Sequence, residues 1–228
     1  MAISALLVVG GAIALFVASI ASTKSTQPTF EVVGAVETLT LDVDDSDVVV
    51  VGGGRRDTVE VQRTQEFAFG HAPRIEKHPA GSAFALRARC PVSLLGPCSV
   101  AFRVVVPDNV ALDIRTADGD VSLRGYRGSA RVSTGAGRIE IAGYCGNSLD
   151  ARAGAGEIAV QAACAPPRMS LRTGSGAIRA VMPPGRYDLD AESTSGEEAV
   201  RGITARDDAP YVVQVLSASG DVAVEGRS

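Results

Sequence analysis

Four groups of residues in this 228-residue chain could do chemistry. Gly154-Ala155-Gly156-Glu157-Ile158-Ala159 satisfies G-x-G-x-x-A, where glycines let the backbone approach a pyrophosphate that rests on the N-terminus of a following helix. Asp42 to Asp47, "DVDDSD", gathers carboxylates of the kind a calcium loop uses. Cys90, Cys98, Cys145 and Cys164 could ligate zinc as thiolates or pair as disulfides. Arg115, Arg152 and Arg172 recur at one phase of a repeat, near Ser133, and could form a basic binding stripe; the bland alternative is solvated surface.

The catalytic and metal readings meet counter-evidence within the sequence. After Gly156 the apolar residues alternate as Ile158 and Val160, so a strand follows where the dinucleotide site needs a helix. The acidic stretch has Asp47 where a calcium loop needs Gly and Gly53 where it needs Glu, and "GGGRRD" departs from G-G-x-G-x-D at Arg55. No C-x-x-C spacing accompanies His71 and His78, which sit in a loop-like stretch, so disulfides are expected in place of zinc. Patterns for zinc hydrolases, serine hydrolases and P-loops do not occur. Parallel β-helix lyases and hydrolases are the strongest enzyme alternative, but their longer rungs and carboxylate clusters are not found. No enzyme activity, cofactor or metal is expected.

The elements that must position these residues follow from a repeat. Gly119, Gly137, Gly156, Gly176, Gly196 and Gly220 recur roughly every 18 to 20 residues, with one longer final step, a solenoid spacing. Five and seven residues before each stand apolar side chains, as in Leu112 and Ile114 or Met169 and Leu171; after most of them come pairs such as Val121 and Leu123. Alternation on both sides of a glycine means strand, turn, strand, with one face buried. Thr116, Thr134, Ala153, Thr173, Ser193 and Ser217, three before each Gly, suit a tight corner. A degenerate copy, Leu39, Leu41, Val48 and Val50 with Ser46 in place of Gly, starts the repeat near residue 36. Glu198 occupies an apolar phase, read as a buried carboxylate or as a bulge turning Ala199 or Val200 inward.

Stacked strands lie about 4.8 Å apart, so outward columns such as Asp113, Arg131, Asp150 and Asp120, Arg138, Glu157 set opposite charges side by side. The same spacing makes a ruler for the cysteines. Cys145 and Cys164 each lie eight residues after a repeat glycine, within the Cα separation a disulfide accepts, so a rung-to-rung staple is expected. Cys90 and Cys98 flank "PVSLLGP" between two alternating runs, as a bridge closing a hairpin loop would. Four paired cysteines imply an oxidising compartment.

Ala2 to Ala21 carries no charge and is long enough to span a bilayer. It reads as a transmembrane anchor, or a signal sequence cleaved after Ala21. Lys24 alone would draw the body into the cytoplasm; the cysteines outweigh it and place the body outside. Net charge is −4 with scattered basic residues, and aromatics make up 4%, which excludes a nucleic-acid footprint and aromatic stacking platforms.

The repeats "TADGDVSLRG", "TGAGRIEIAG", "TGSGAIRAV" and "SASGDVAVEG" resemble the bacterial putative-adhesin family, the toastrack domains, over about residues 30 to 226. The resemblance implies stacked β-repeats in a single-stranded solenoid, a surface or envelope role often beside a membrane segment, and no catalytic residues to carry over. The four cysteines, the irregular Glu198 rung and the insertion from Arg63 to Pro107 depart from the pattern.

The expectation is therefore an all-β, parallel solenoid with rungs stacked in order toward the C-terminus, behind a transmembrane helix. Its parts are an anchor or signal over 1–24, a tether over 25–35, an N-terminal β region with a disulfide hairpin over 36–107, and solenoid repeats over 108–228. The expected function is a membrane-anchored, extracytoplasmic surface-binding domain at the cell membrane, meeting an unknown surface ligand. The alternative is an envelope-stress sensory ectodomain acting through a membrane protein. Self-association through exposed end rungs is a third possibility.

Overall fold

The computed structural model describes residues 24–68, 71–91 and 98–227. They form strands in two long sheets and no helix. Each rung lays one strand in each sheet, joined at a corner: Ala111–Asp118 with Val121–Arg124, Ala130–Ala136 with Ile139–Tyr144, Ser148–Ala155 with Ile158–Ala162, and Arg168–Ser175 with Ile178–Met182. Strands of successive rungs pair parallel and in the expected phase, so Val121 lies beside Ile139 and Ile158 beside Ile178. The inward residues meet between the sheets; Ile114, Val132, Ile139, Leu171 and Val215 are fully buried. Burial of these alternate side chains is what holds rungs together, since a single rung has no core of its own.

The stacking order departs from chain order at both ends. Val212–Ser217 inserts between Arg168–Ser175 and Arg186–Ser193, and Val222–Gly226 inserts between Ile178–Met182 and Glu198–Arg201. The last rung is thus internal and the 186–201 rung is the end. At the opposite end, the 38–51 rung (Thr38–Val43 and Ser46–Val51) lies between the 111–124 rung and the later strands Ala83–Arg89 and Cys98–Val105. The expectation of rungs stacked in sequence order is corrected accordingly. The physical reason is polarity: Val213, Val215, Val222 and Val224 are fully covered, whereas Leu189 and Ala191 are half-buried and Glu198 is exposed. The more polar rung occupies the uncovered end.

Glu198 is neither buried nor bulged. It pairs in register with Val222, and its Oε1 accepts a hydrogen bond from Ser193 N at 2.6 Å.

The segment expected as a tether forms two strands, Lys24–Thr26 and Thr29–Val33, antiparallel to Thr58–Phe67. The insertion from Arg63 to Pro107 joins the solenoid body, since Phe84, Leu86, Phe102 and Val104 belong to the common core. Its outer strand, Arg74–Ala80, carries Arg74, Glu76, Lys77, His78 and Pro79, residues that blunt an edge against further pairing. Residues 2–21 lie outside the described residues. Among those described, no helix is long and apolar enough to cross a membrane.

The glycine corners explain the resemblance to a nucleotide loop. Gly137, Gly156 and Gly176 have φ between +133° and +143°, and a Cβ at each would overlap the carbonyl of the equivalent glycine one rung below. Gly196 alone of the repeat glycines lacks a positive φ, consistent with its place in the end rung. The hydroxyls three residues earlier complete the corner. Thr134, Thr173, Ser217 and Ser193 donate to the carbonyls of Gly119, Gly156, Gly176 and Gly220 at 3.3, 3.0, 3.0 and 2.8 Å. Ala153 interrupts this ladder, buried between Thr134 and Thr173. Ala153→Thr should therefore add a hydrogen bond and raise stability by about 1 kcal/mol, read as a higher denaturant midpoint; a lower midpoint would show that the methyl overpacks the column.

At the other corner, buried Tyr126 donates to Val110 O, and Tyr144 donates to Ser148 O at 2.5 Å, with Gly128 O also within reach at 2.9 Å. Burial pushes both phenols above their ordinary range. Phenols of the unfolded chain ionise near pH 10, so this stabilisation is fully present below pH 10 and falls as pH rises beyond it. Between pH 9 and 11 the two together should cost about 3 kcal/mol. Denaturation midpoints in that window test this, and an unchanged midpoint would count against it.

Candidate functional site

The three expected stripe residues do share one face. Arg115 pairs with Ser133, Ser133 with Arg152, and Arg152 with Arg172, in a column across the outer face of the sheet that contains Ala111–Asp118. They are not a uniform basic stripe. Arg115 is bound to Asp113 in its own strand (2.6 Å), and Arg152 to Asp150 (2.9 Å). Arg131 reaches Asp150 at 3.7 Å, and Arg138 reaches Glu157 at 3.1 Å in the next outward column. The alternating charges thus consume one another locally, each exposed pair contributing little to stability.

One stretch of this face is different. Arg131, Asp150, Arg152, Arg168, Arg172 and Gln214 line a shallow depression of about 370 Å³. Strand Ser148–Ala155 supplies Asp150 and Arg152, strand Arg168–Ser175 supplies Arg168, Ser170 and Arg172, and the inserted strand Val212–Ser217 supplies Gln214. Arg172 Nη2 donates to Gln214 Oε1 at 3.1 Å and meets no carboxylate. Among the described residues, four buried side-chain polar atoms lack a hydrogen-bond partner, and Asp150 Oδ1, Ser170 Oγ and Arg172 Nε are three of them. These three atoms have essentially no accessible surface of their own, although the residues that carry them line the depression.

Sequence reasoning placed Arg152, Arg172 and the Asp150 column but missed Arg168 and Gln214. Gln214 lies six residues before Gly220, in phase with Asp150 and Ser170; reading the rungs in chain order would have set it only beyond Asp190, at the far end.

The cysteines hold the corners. Cys145 and Cys164 are bonded across neighbouring rungs with Cα atoms 4.7 Å apart. Cys90 and Cys98 are bonded with Cα atoms 5.9 Å apart, but not in a hairpin. Ala83–Arg89 and Cys98–Val105 belong to opposite sheets and pair parallel to Thr38–Val43 and Ser46–Val51, so the bridge closes an enlarged rung corner. No free cysteine occurs among the described residues.

The acidic stretch is committed to structure. Asp42 meets Arg87 at 3.5 Å and Arg89 at 2.9 Å, and Asp44 meets Arg89 at 3.3 Å; the hydrogen bond that Arg89 donates to the Asp42 carboxylate is the chief reason its guanidinium is held above its usual range. Asp47 Oδ1 accepts from Asp120 N at 2.9 Å. Among the described residues, no group of carboxylate, His or Cys side chains is arranged to hold a metal ion.

A two-sheet parallel β-solenoid with glycine corners and a polar outer face defines the class. Within it, the chain belongs to the Toastrack DUF4097 family, whose model matches residues 105–225. Among solved structures, it is similar to a "putative cell adhesion protein" from Clostridium sporogenes ATCC 15579, with TM-score 0.51 and 11% identity over 90% of this chain and 100% of that one. A "putative adhesin" from Bacteroides fragilis NCTC 9343 aligns with TM-score 0.45 and 11% identity over 90% of this chain and 98% of that one. At 11% identity the likeness to the Clostridium sporogenes structure shows the fold alone. No curated protein matches the chain.

Proposed function

We propose that the chain is a non-enzymatic surface-binding domain of the cell envelope, anchored in the membrane through residues 2–21 with its β body on the extracytoplasmic side. The observation that carries the binding reading is the depression around Arg168 and Arg172, two guanidiniums with no ion pair among the described residues on an otherwise self-paired face. Asp150 is held between the guanidiniums of Arg131 and Arg152, so its carboxylate is tied into the face. The two disulfides favour an oxidising compartment. The Clostridium sporogenes structure, a "putative cell adhesion protein", lends the same direction.

Thiol alkylation of intact cells should find no reactive cysteine in the chain; four free thiols would sink the extracytoplasmic placement. Crosslinking of the full chain on cells should capture surface or wall material. Recurrent capture of one membrane protein, with no surface ligand, would replace this reading with a regulatory ectodomain.

A further inference from the structure

We propose that the depression lined by Arg131, Arg152, Arg168 and Arg172 binds a chain of an acidic polysaccharide, with uronate-type carboxylates on the guanidiniums and ring hydroxyls on the neighbouring polar groups. This deepens the surface-binding reading and rests on it. The charge balance comes first. Four guanidiniums face one carboxylate here, in a chain whose net charge is −4. Asp150 engages Arg131 and Arg152, while Arg172 has only the neutral amide of Gln214, and Arg168 has no side-chain partner among the described residues. Two guanidiniums therefore await an anion, and their planar donor forks match a carboxylate.

Beside the guanidiniums the depression offers the Gln214 amide, whose nitrogen can donate to a ring hydroxyl while Oε1 holds Arg172. The lining contains no aromatic side chain, which removes the stacking surface a nucleobase uses. The face also suits a polymer, since it is open and its strands succeed one another at about 4.8 Å, close to the length of one pyranose unit. A polysaccharide lying across the strands would set a carboxylate on Arg172 and its neighbouring sugars over the adjacent rungs on either side.

The test uses the full chain and three probes at one salt concentration, with calorimetry as the readout: polygalacturonate, neutral dextran and inorganic polyphosphate. Polygalacturonate should bind saturably and dextran should not. Arg168→Gln should weaken binding roughly tenfold without changing the melting temperature, because Arg168 is exposed. Arg124→Gln, on the opposite sheet, should leave binding unchanged and controls for general charge. Absence of polygalacturonate binding overturns the proposal, as does full affinity in an Arg168→Gln, Arg172→Gln double variant that retains its melting transition. Polyphosphate binding as tight as polygalacturonate overturns it too, since the face would then be an unselective anion surface. Adherence of the full chain to cell envelopes, alongside no affinity for polygalacturonate, would remove the ligand class and leave the surface-binding reading standing.

Discussion

Gly156→Ala should destabilise the protein by about 4 kcal/mol or more, among the largest effects of any single methyl group in this fold. Two costs combine. The backbone there has φ +143°, a region costing about 1–3 kcal/mol for residues with a Cβ. The added carbon would also overlap the carbonyl of Gly137, so two rungs that share a tightly packed core would have to separate. The comparison is Gly81→Ala, at φ +60° with open space around the new carbon, which should cost only about 1 kcal/mol. Denaturant midpoints of the two variants decide the matter. Equal midpoints would mean that the glycine column is a matter of turn geometry, with no steric role in stacking.

Ending the chain after Asp208 should abolish the cooperative fold. In a solenoid stacked in chain order, such a deletion trims one terminal rung and leaves the rest nearly intact. Here it removes an internal rung and leaves Arg168–Ser175 and Arg186–Ser193 without their shared partner. Val213, Val215, Val222 and Val224 leave with it, all fully buried. At about 1.5–3 kcal/mol for each buried side chain, the loss rivals the ~5–15 kcal/mol that a whole domain has. Thermal melts followed by circular dichroism, with limited proteolysis, should show no folded body of normal size. A truncated chain that melts cooperatively near the parent temperature would show that the 186–201 rung can close directly onto the 168–182 rung.

The parts of the molecule legible in the sequence are those that repeat locally. The alternation around Gly137 and Gly156 assigned buried and outward faces because a strand turns its side chains over every residue. Cys145 and Cys164 could be paired from their phase because adjacent rungs place equivalent residues side by side. Cys90 and Cys98 could also be paired, yet the corner they close was mistaken for a hairpin. Their flanking runs alternate equally well whether the next strand lies in the same sheet or the opposite one. Glu198 misled for a related reason: an inward phase implies burial only for a rung covered on both sides, and its rung is covered on one.

Phase, corner glycines, cysteine pairing and the outward charge columns thus follow from the order of residues alone, because each depends on neighbours within one rung or on the constant step between rungs. Which rung lies on which does not follow. Every rung presents the same apolar alternation and the same glycine, so parallel pairing is nearly degenerate among them. The choice rests on long-range burial, which draws the valine-rich 212–226 rung inside and leaves the polar 186–201 rung at the end. The depression proposed to bind depends on that choice, since Gln214 reaches Ser170 and Arg172 only because the last rung of the chain is not the last rung of the stack.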